Sequence, residues 1–306
     1  MLRLSPSHLI LLCVAVIWGG GFVAQKSGMD SLGPYSFNTA RFVLATLSLI
    51  PVWIYMHRRY SSEVLKSDQR YFWLGGLVAG LLLTAGLTLQ QVGLQYTTAG
   101  NAGFITGMYI VMVPVLGLLF FKQKTRWLVW AGLALAVAGL YQLSVVPGDS
   151  SFTMNKGDGL QLVGAVFWAL HVVTLGWLAR RVKDLVGLSA IQFAVCAVAS
   201  YVLMLVLEQQ VVQWRDFSAE WLPLLYSGVM ASGVAFTLQI IGQRGVESEV
   251  AALILAFEAV FALLTGILFL GESFGGREML GCGLMMAGIL LTLWPEKQEL
   301  IPSNAQ

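Results

Sequence analysis

The sequence predicts an all-α integral membrane protein in which ten transmembrane helices form two inverted five-helix repeats around a central cavity. Three observations predict it. Of the 306 residues, 57% are hydrophobic and 11% charged, and the mean hydropathy is +0.76, more apolar surface than a soluble globule of this length can bury. The apolar residues fall in tracts of about 20, the length that crosses a bilayer. The second half of the chain repeats the first in register. A net charge of +2 without a long run of Lys and Arg argues against a nucleic-acid partner. Cys13, Cys196 and Cys282 stand singly in apolar tracts, without CxxC or metal-ligand spacing, and read as inert core thiols. Neither a metal nor a cofactor is expected.

Cutting the hydropathy at its polar breaks places spans near 8–26, 35–56, 72–93, 99–121, 127–145, 158–178, 187–207, 221–243, 250–270 and 278–294. Each link carries a turn or charge signal: Ser31-Leu32-Gly33-Pro34, the polar run 57–70, the basic run 122–126, and Val146-Pro147-Gly148-Asp149. No link is long enough for a soluble domain.

Basic residues set the orientation. On the side of the N-terminus lie Arg3, Arg58, Arg59, Lys66, Arg70, Lys122, Lys124, Arg126, Arg180, Arg181, Lys183, Arg244 and Lys297, against Lys26, Lys156, Arg215 and Arg277 on the other. Both termini are therefore expected in the cytoplasm, as an even number of spans requires. Arg3 before an apolar stretch imitates a cleaved leader, but this first tract has a counterpart later in the chain.

The counterpart belongs to an internal repeat. Ala15-Val16-Ile17-Trp18 recurs as Ala165-Val166-Phe167-Trp168, and Thr88-Leu89-Gln90 as Thr237-Leu238-Gln239. The second offset continues ungapped, pairing Gly93 with Gly242, Gly117 with Gly266, Phe120 with Phe269, Gly132 with Gly281, and Ala138-Gly139 with Ala287-Gly288. The expected units are 1–146 and 147–306, the latter with a short cytoplasmic tail. Five is odd, so the second unit lies upside down relative to the first, the arrangement that lets a carrier face either side in turn.

At this point the motifs become specific. Ile17-Trp18-Gly19-Gly20-Gly21-Phe22-Val23, Ala40-Arg41-Phe42, Gly93-Leu94-Gln95-Tyr96-Thr97-Thr98-Ala99, and Phe257-Glu258-Ala259-Val260-Phe261 followed by Leu270-Gly271-Glu272 resemble the EamA-type branch of the drug/metabolite transporter superfamily. The likeness runs over nearly the whole chain. It departs at Ala259, where that family often has proline after the intramembrane glutamate. The resemblance implies ten spans, cytoplasmic termini, a place in the cytoplasmic membrane and movement of small metabolites, often outward. It does not name the substrate, since the family handles amino acids, their precursors, nucleotide-related compounds and toxic organic molecules.

Periodicity indicates the inward faces. Thr84, Thr88, Gln91 and Gln95 share one stripe, Ser232, Phe236, Gln239 and Gln243 another, Asn38, Arg41, Ala45 and Ser48 a third, and Ala251, Glu258, Ala262 and Thr265 a fourth. Polar stripes in lipid must face the bundle interior or water. Two readings stay open for the Gln and Thr residues, interhelical hydrogen bonding or a cavity lining. Arg41 lies roughly 10 Å below the far surface by helical rise; it either snorkels or serves as counter-charge to an anionic substrate group or to Glu258. His171 is a satisfied core histidine or a proton relay. Trp18 and Trp168, equivalent in the repeats, are packing residues or aromatic cavity walls. Gly76/Gly80 and Gly103/Gly107 read as close-packing positions, and Pro114 as a kink or hinge in the fourth span.

Glu258 is the strongest lead. A carboxyl in the middle of an apolar span costs several kcal/mol unless solvated or paired, so it marks a pathway or a site. Its counterpart in the first repeat is Tyr109. Glu258 either hydrogen-bonds a neighbouring helix, or exchanges a proton or a cationic substrate group in alternation. The expected cavity is lined by Trp18, Arg41, Gln91, Tyr109, Trp168, His171, Gln239 and Glu258, with Glu258 and His171 as the candidates for proton coupling. HExxH, paired intramembrane Asp and His clusters are absent from the sequence, which argues against a membrane-embedded enzyme. Rings of like charge and filter loops are absent too, which argues against a channel. The expectation is an alternating-access exporter of small metabolites, such as amino-acid-like compounds, with an uncoupled facilitator as the alternative. Its partners are the small-molecule substrate, the bilayer and protons, and the chain is a monomer or weak homodimer.

Overall fold

The computed structural model describes residues 5–58, 69–97, 99–122, 125–144, 155–208, 213–270 and 275–294. Arg3, Arg59, Lys66, Thr98, Lys124, the 146–149 turn, Gly271, Glu272 and Lys297 lie outside the described residues. Among the described residues the only regular structure is helical: α1 Pro6–Ser27, α2 Pro34–His57, α3 Gln69–Gly93, α4 Ala99–Gly107, α5 Tyr109–Phe121, α6 Trp127–Ser144, α7 Lys156–Ala179, α8 Leu185–Leu207, α9 Trp214–Ala219, α10 Trp221–Leu225, a π-helical segment Tyr226–Val234, α11 Ala235–Gln243, α12 Ser248–Leu255, α13 Glu258–Leu270 and α14 Gly276–Thr292. Among the described residues, eight helical tracts are long and apolar enough to cross a membrane, and a shorter apolar helix spans Trp127–Leu143.

Most of the ten expected spans coincide with a helical tract, but two are broken. The fourth is divided at Met108 into α4 and α5, and the ninth at Ala256 and Phe257 into α12 and α13. Both breaks are turns closed by i to i+3 backbone bonds, Val111 to Met108 at 3.1 Å and Val260 to Phe257 at 3.0 Å. Such a turn tightens the winding locally and gives the second half of the span a new direction. The fourth span breaks at Met108 and not at Pro114, which lies inside α5. In the eighth span a π-helical segment stands between α10 and α11. The short α9 falls outside the ten expected spans; two acidic residues interrupt the apolar pattern around it.

Helix pairs carry the packing. α6 and α14 run antiparallel in direct backbone contact. A Cβ added at Gly132 would lie 2.6 Å from the Gly288 carbonyl oxygen, and one at Gly139 the same distance from that of Gly281. Arg126 donates hydrogen bonds to the Thr292 and Trp294 carbonyls at the end of α14, while Arg277 reaches Gln142 and the Tyr141 carbonyl at the end of α6. A guanidinium therefore satisfies last-turn carbonyls at each end of the pair.

α2 and α8 are also antiparallel and clamped at both ends. Asp184 caps α8 by accepting from Gly187 N at 2.9 Å, and it accepts from Trp53 Nε1 at 2.7 Å and contacts His57 Nδ1 at 3.0 Å on α2. At the other end Glu208 accepts from the backbone N–H and hydroxyl of Ser36, at 2.8 and 2.7 Å. Replacing Asp184 by Ala removes the cap, worth about 1 kcal/mol, and strands the Trp53 indole N–H. We expect a lower thermal midpoint for the detergent-solubilised variant, with part of the loss restored by Asp184→Asn.

The largest apolar cluster joins α1, α5, α6, α7, α11, α12 and α14 through Leu11, Val14, Ile110, Val113, Leu253, Ile254 and Leu255. Its members Tyr109 and Val172 also border the internal cavity.

Candidate functional site

Burial of indole, guanidinium and carboxyl groups inside one bundle requires a polar interior, and the helices supply one. A cavity enclosing about 560 Å³ free of protein atoms, counting space continuous with its surroundings, is lined by residues of α1 to α5, α7, α13, the π-helical segment and α11. Five of the eight residues expected there line it: Trp18, Arg41, Tyr109, Trp168 and Glu258.

The two broken helices carry the centre of the site. Tyr109 is the first residue of α5 and Glu258 the first of α13, so the equivalent positions of the sequence repeat both stand at a break. The reason is geometric: at a helix start the side chain leaves the stack of the preceding turn and turns into the space the break opens. Tyr109 is buried, and its hydroxyl donates a long 3.4 Å bond to the Ala252 carbonyl. Glu258 is partly exposed to the cavity and makes no hydrogen bond or ion pair among the described residues.

An aromatic wall closes the space on the side of the chain ends. Trp18 and Trp168 meet edge to face with ring centres 6.2 Å apart, and Phe236 lies 4.7 Å from Trp18 and stacks on Trp168 at 5.9 Å. The indoles are fixed by hydrogen bonds, Trp18 Nε1 to the Ala231 carbonyl at 2.9 Å and Trp168 Nε1 to Gln90 Oε1 at 3.1 Å. Gln90 in turn donates to Gln25 Oε1 at 3.3 Å. An anchored indole presents a flat apolar face at little entropic cost.

Gln91, His171 and Gln239 are fully buried and are not among the lining residues. Gln91 belongs to the helix interface, donating to the Gln25 carbonyl at 3.2 Å, while its neighbour Gln90 reaches the cavity. His171 sits behind the aromatic wall, edge-on to Trp168 and Phe236, with Nε2 3.1 Å from Gln192 Oε1 and Nδ1 unpartnered. Gln239 lies one turn beyond Phe236 with both amide atoms unpartnered. A four-residue stripe is about one helix face wide, so periodicity selects the right face without saying at which depth it meets open space.

Sequence reasoning did not single out Gln25, Gln90, Thr106, Ser227 and Ala231 as lining residues, nor Gly21, Leu87 and Val172. Gln90 carried a usable signal, since it belongs to the repeated Thr-Leu-Gln motif. Ser227 and Ala231 did not, because the π-helical winding that turns them inward shifts the face away from the α-helical period.

An all-helical bundle with at least eight membrane-length apolar helices and a polar, aromatic-walled interior defines a multi-pass membrane protein built around an internal cavity. The chain belongs to the EamA-like transporter family, whose model matches residues 5–145 and 155–294. It is 31% identical over 281 residues to an uncharacterized transporter of Archaeoglobus fulgidus, covering 92% of this chain and 83% of that protein. It is 24% identical to the uncharacterized transporter YoaV of Bacillus subtilis, covering 92% and 94%, and 23% identical to a WAT1-related chloroplastic protein of Arabidopsis thaliana, covering 95% and 70%. A solved crystal structure superimposes with a TM-score of 0.74 at 19% identity, covering 94% of this chain and 97% of that one, which establishes the likeness of fold.

Proposed function

We propose that the protein is a secondary transporter that exports small metabolites across the cytoplasmic membrane by alternating access, exchanging them for protons at Glu258. The observation that carries the reading is the pair of broken helices whose second halves begin at Tyr109 and Glu258, both lining one cavity. Discontinuous helices at the junction of two repeats mark the substrate and coupling site in this architecture, and an unpaired intramembrane carboxyl is a functional group by default.

The two repeats, 1–146 and 147–306, are inverted in this reading. Support comes from the α6–α14 pair. Gly132 meets Gly288 and Gly139 meets Gly281, and the repeat offset exchanges these two contacts, as a two-fold axis in the membrane plane requires. Gly21, Gln25, Arg41, Gln90 and Ser227 extend the lining toward the helix ends away from the chain termini, with Trp18, Tyr109, Trp168 and Glu258 near mid-span, and with both termini cytoplasmic the described conformation faces outward. In the inward-facing conformation the wall of Trp18, Trp168 and Phe236 parts, and water reaches His171 and Gln239. The unpartnered atoms of these two residues gain hydrogen bonds there, which offsets the separation of the aromatic rings.

Flux through proteoliposomes tests the reading. A carrier saturates and shows counterflow, with labelled substrate accumulating transiently against unlabelled substrate trapped inside. Non-saturating flux without counterflow contradicts it.

A further inference from the structure

Arg41 is 3% exposed and lines the cavity, yet no carboxylate among the described residues lies within ion-pair distance and its Nε has no hydrogen-bond partner. A close electrostatic neighbour is the ring of Phe42, 4.7 Å from the guanidinium carbon. A buried guanidinium left this way is costly unless a ligand completes it.

The groups around it are in the same condition. Asn38, one turn earlier on α2, is buried with both amide atoms unpartnered, but it lies behind the lining residues. Ser227 and Ser232, buried cavity residues of the π-helical segment, have unpartnered hydroxyls. The segment is pressed onto α2 at this level: a Cβ on Gly228 would lie 2.9 Å from the Arg41 carbonyl oxygen. Buried polar groups are nearly always hydrogen-bonded, so Arg41, Ser227 and Ser232, three exceptions lining one cavity on two helices in contact, call for a common partner. Guanidinium and two hydroxyls are all donors, and the partner that accepts from all of them is an oxyanion. A planar carboxylate matches the guanidinium fork.

We infer that Arg41, Ser227 and Ser232 form a carboxylate subsite, and that the transported molecules carry a carboxylate there with an apolar, flat body against Trp18, Trp168 and Phe236. This rests on the carrier reading, which leaves the substrate class open. Glu258 is not part of the subsite, so proton exchange and carboxylate recognition are separable.

The test compares 3-phenylpropionate, 3-phenylpropanamide and 3-phenylpropylamine, which share a body and differ in the head group, by thermal shift on the purified full-length protein. The acid is expected to stabilise at concentrations at least roughly tenfold below the amide, the 1.4 kcal/mol equivalent of one charge-assisted contact. The combined substitutions Ser227→Ala and Ser232→Ala, which leave Arg41 in place, are expected to weaken the acid several-fold and leave the amide unchanged. Arg41→Gln should abolish the preference for the acid. Equal effects of acid and amide, a preference for the amine, no stabilisation by any of the three, or an unaffected double serine variant would each overturn the subsite. Counterflow separates this from the carrier reading. If the amide exchanges as readily as the acid, transport stands and the subsite fails; if the acid stabilises but nothing exchanges, the subsite stands and the carrier reading fails.

Discussion

Glu258→Gln is expected to uncouple flux from pH. In the proposed mechanism the rate of substrate exchange changes with pH because Glu258 takes up and releases a proton in each cycle. Gln keeps the shape and the hydrogen-bonding capacity of the protonated acid and removes the titration. The lost factor is the accumulation that the proton gradient drives, about tenfold per pH unit of gradient for one proton exchanged per substrate, so gradient-driven accumulation should fall by that factor. Counterflow, which needs no net proton movement, should persist. Because Glu258 makes no hydrogen bond or ion pair among the described residues, the substitution breaks no visible contact, and a loss of protein yield is not expected. An unchanged rate with an unchanged pH profile would remove Glu258 from the mechanism.

Gly288→Val should be the most damaging substitution outside the cavity. A Cβ there meets the Gly132 carbonyl oxygen at 2.6 Å, and backbone on both sides leaves nothing flexible to move aside. Overpacking of this kind costs about 1–3 kcal/mol, and prising α6 from α14 also weakens the Arg126 and Arg277 caps at the ends of the pair. The thermal midpoint in detergent should drop by several degrees or the variant should fail to accumulate, and Gly139→Val should behave alike because it meets the Gly281 carbonyl at the same distance. Gly283→Val, on the same helix with nothing within 4 Å of its Cβ position, is the control and should be tolerated.

Much of the fold was legible because lipid imposes simple rules. Every backbone group must be bonded within the chain, so tract length and hydropathy locate helices within a few residues, as at α3, expected at 72–93 and found at Gln69–Gly93. The site was legible in part. Trp18, Trp168 and Tyr109 were found because the repeat pairs them with one another or with Glu258, and Glu258 and Arg41 because a charge in an apolar tract is conspicuous. The helix breaks at Met108 and at Ala256 and Phe257 were not legible: neither place carries a proline, and the i to i+3 turns there depend on tertiary packing. Gln239 and His171 share faces with lining residues but sit below the aromatic wall, a matter of depth that no periodicity encodes.

Alternating access is the central claim, and sided thiol labelling tests it most directly. With Cys13, Cys196 and Cys282 replaced by serine, single cysteines are placed at Ala231 in the cavity and at Gln239 beneath the wall, and membrane vesicles of both orientations are treated with an impermeant maleimide. The account predicts that Ala231→Cys reacts from the face opposite the chain termini and Gln239→Cys from the terminal face, and that locking one end shut with a cross-link raises reactivity at the other. Simultaneous reaction of both cysteines from a single face would contradict it.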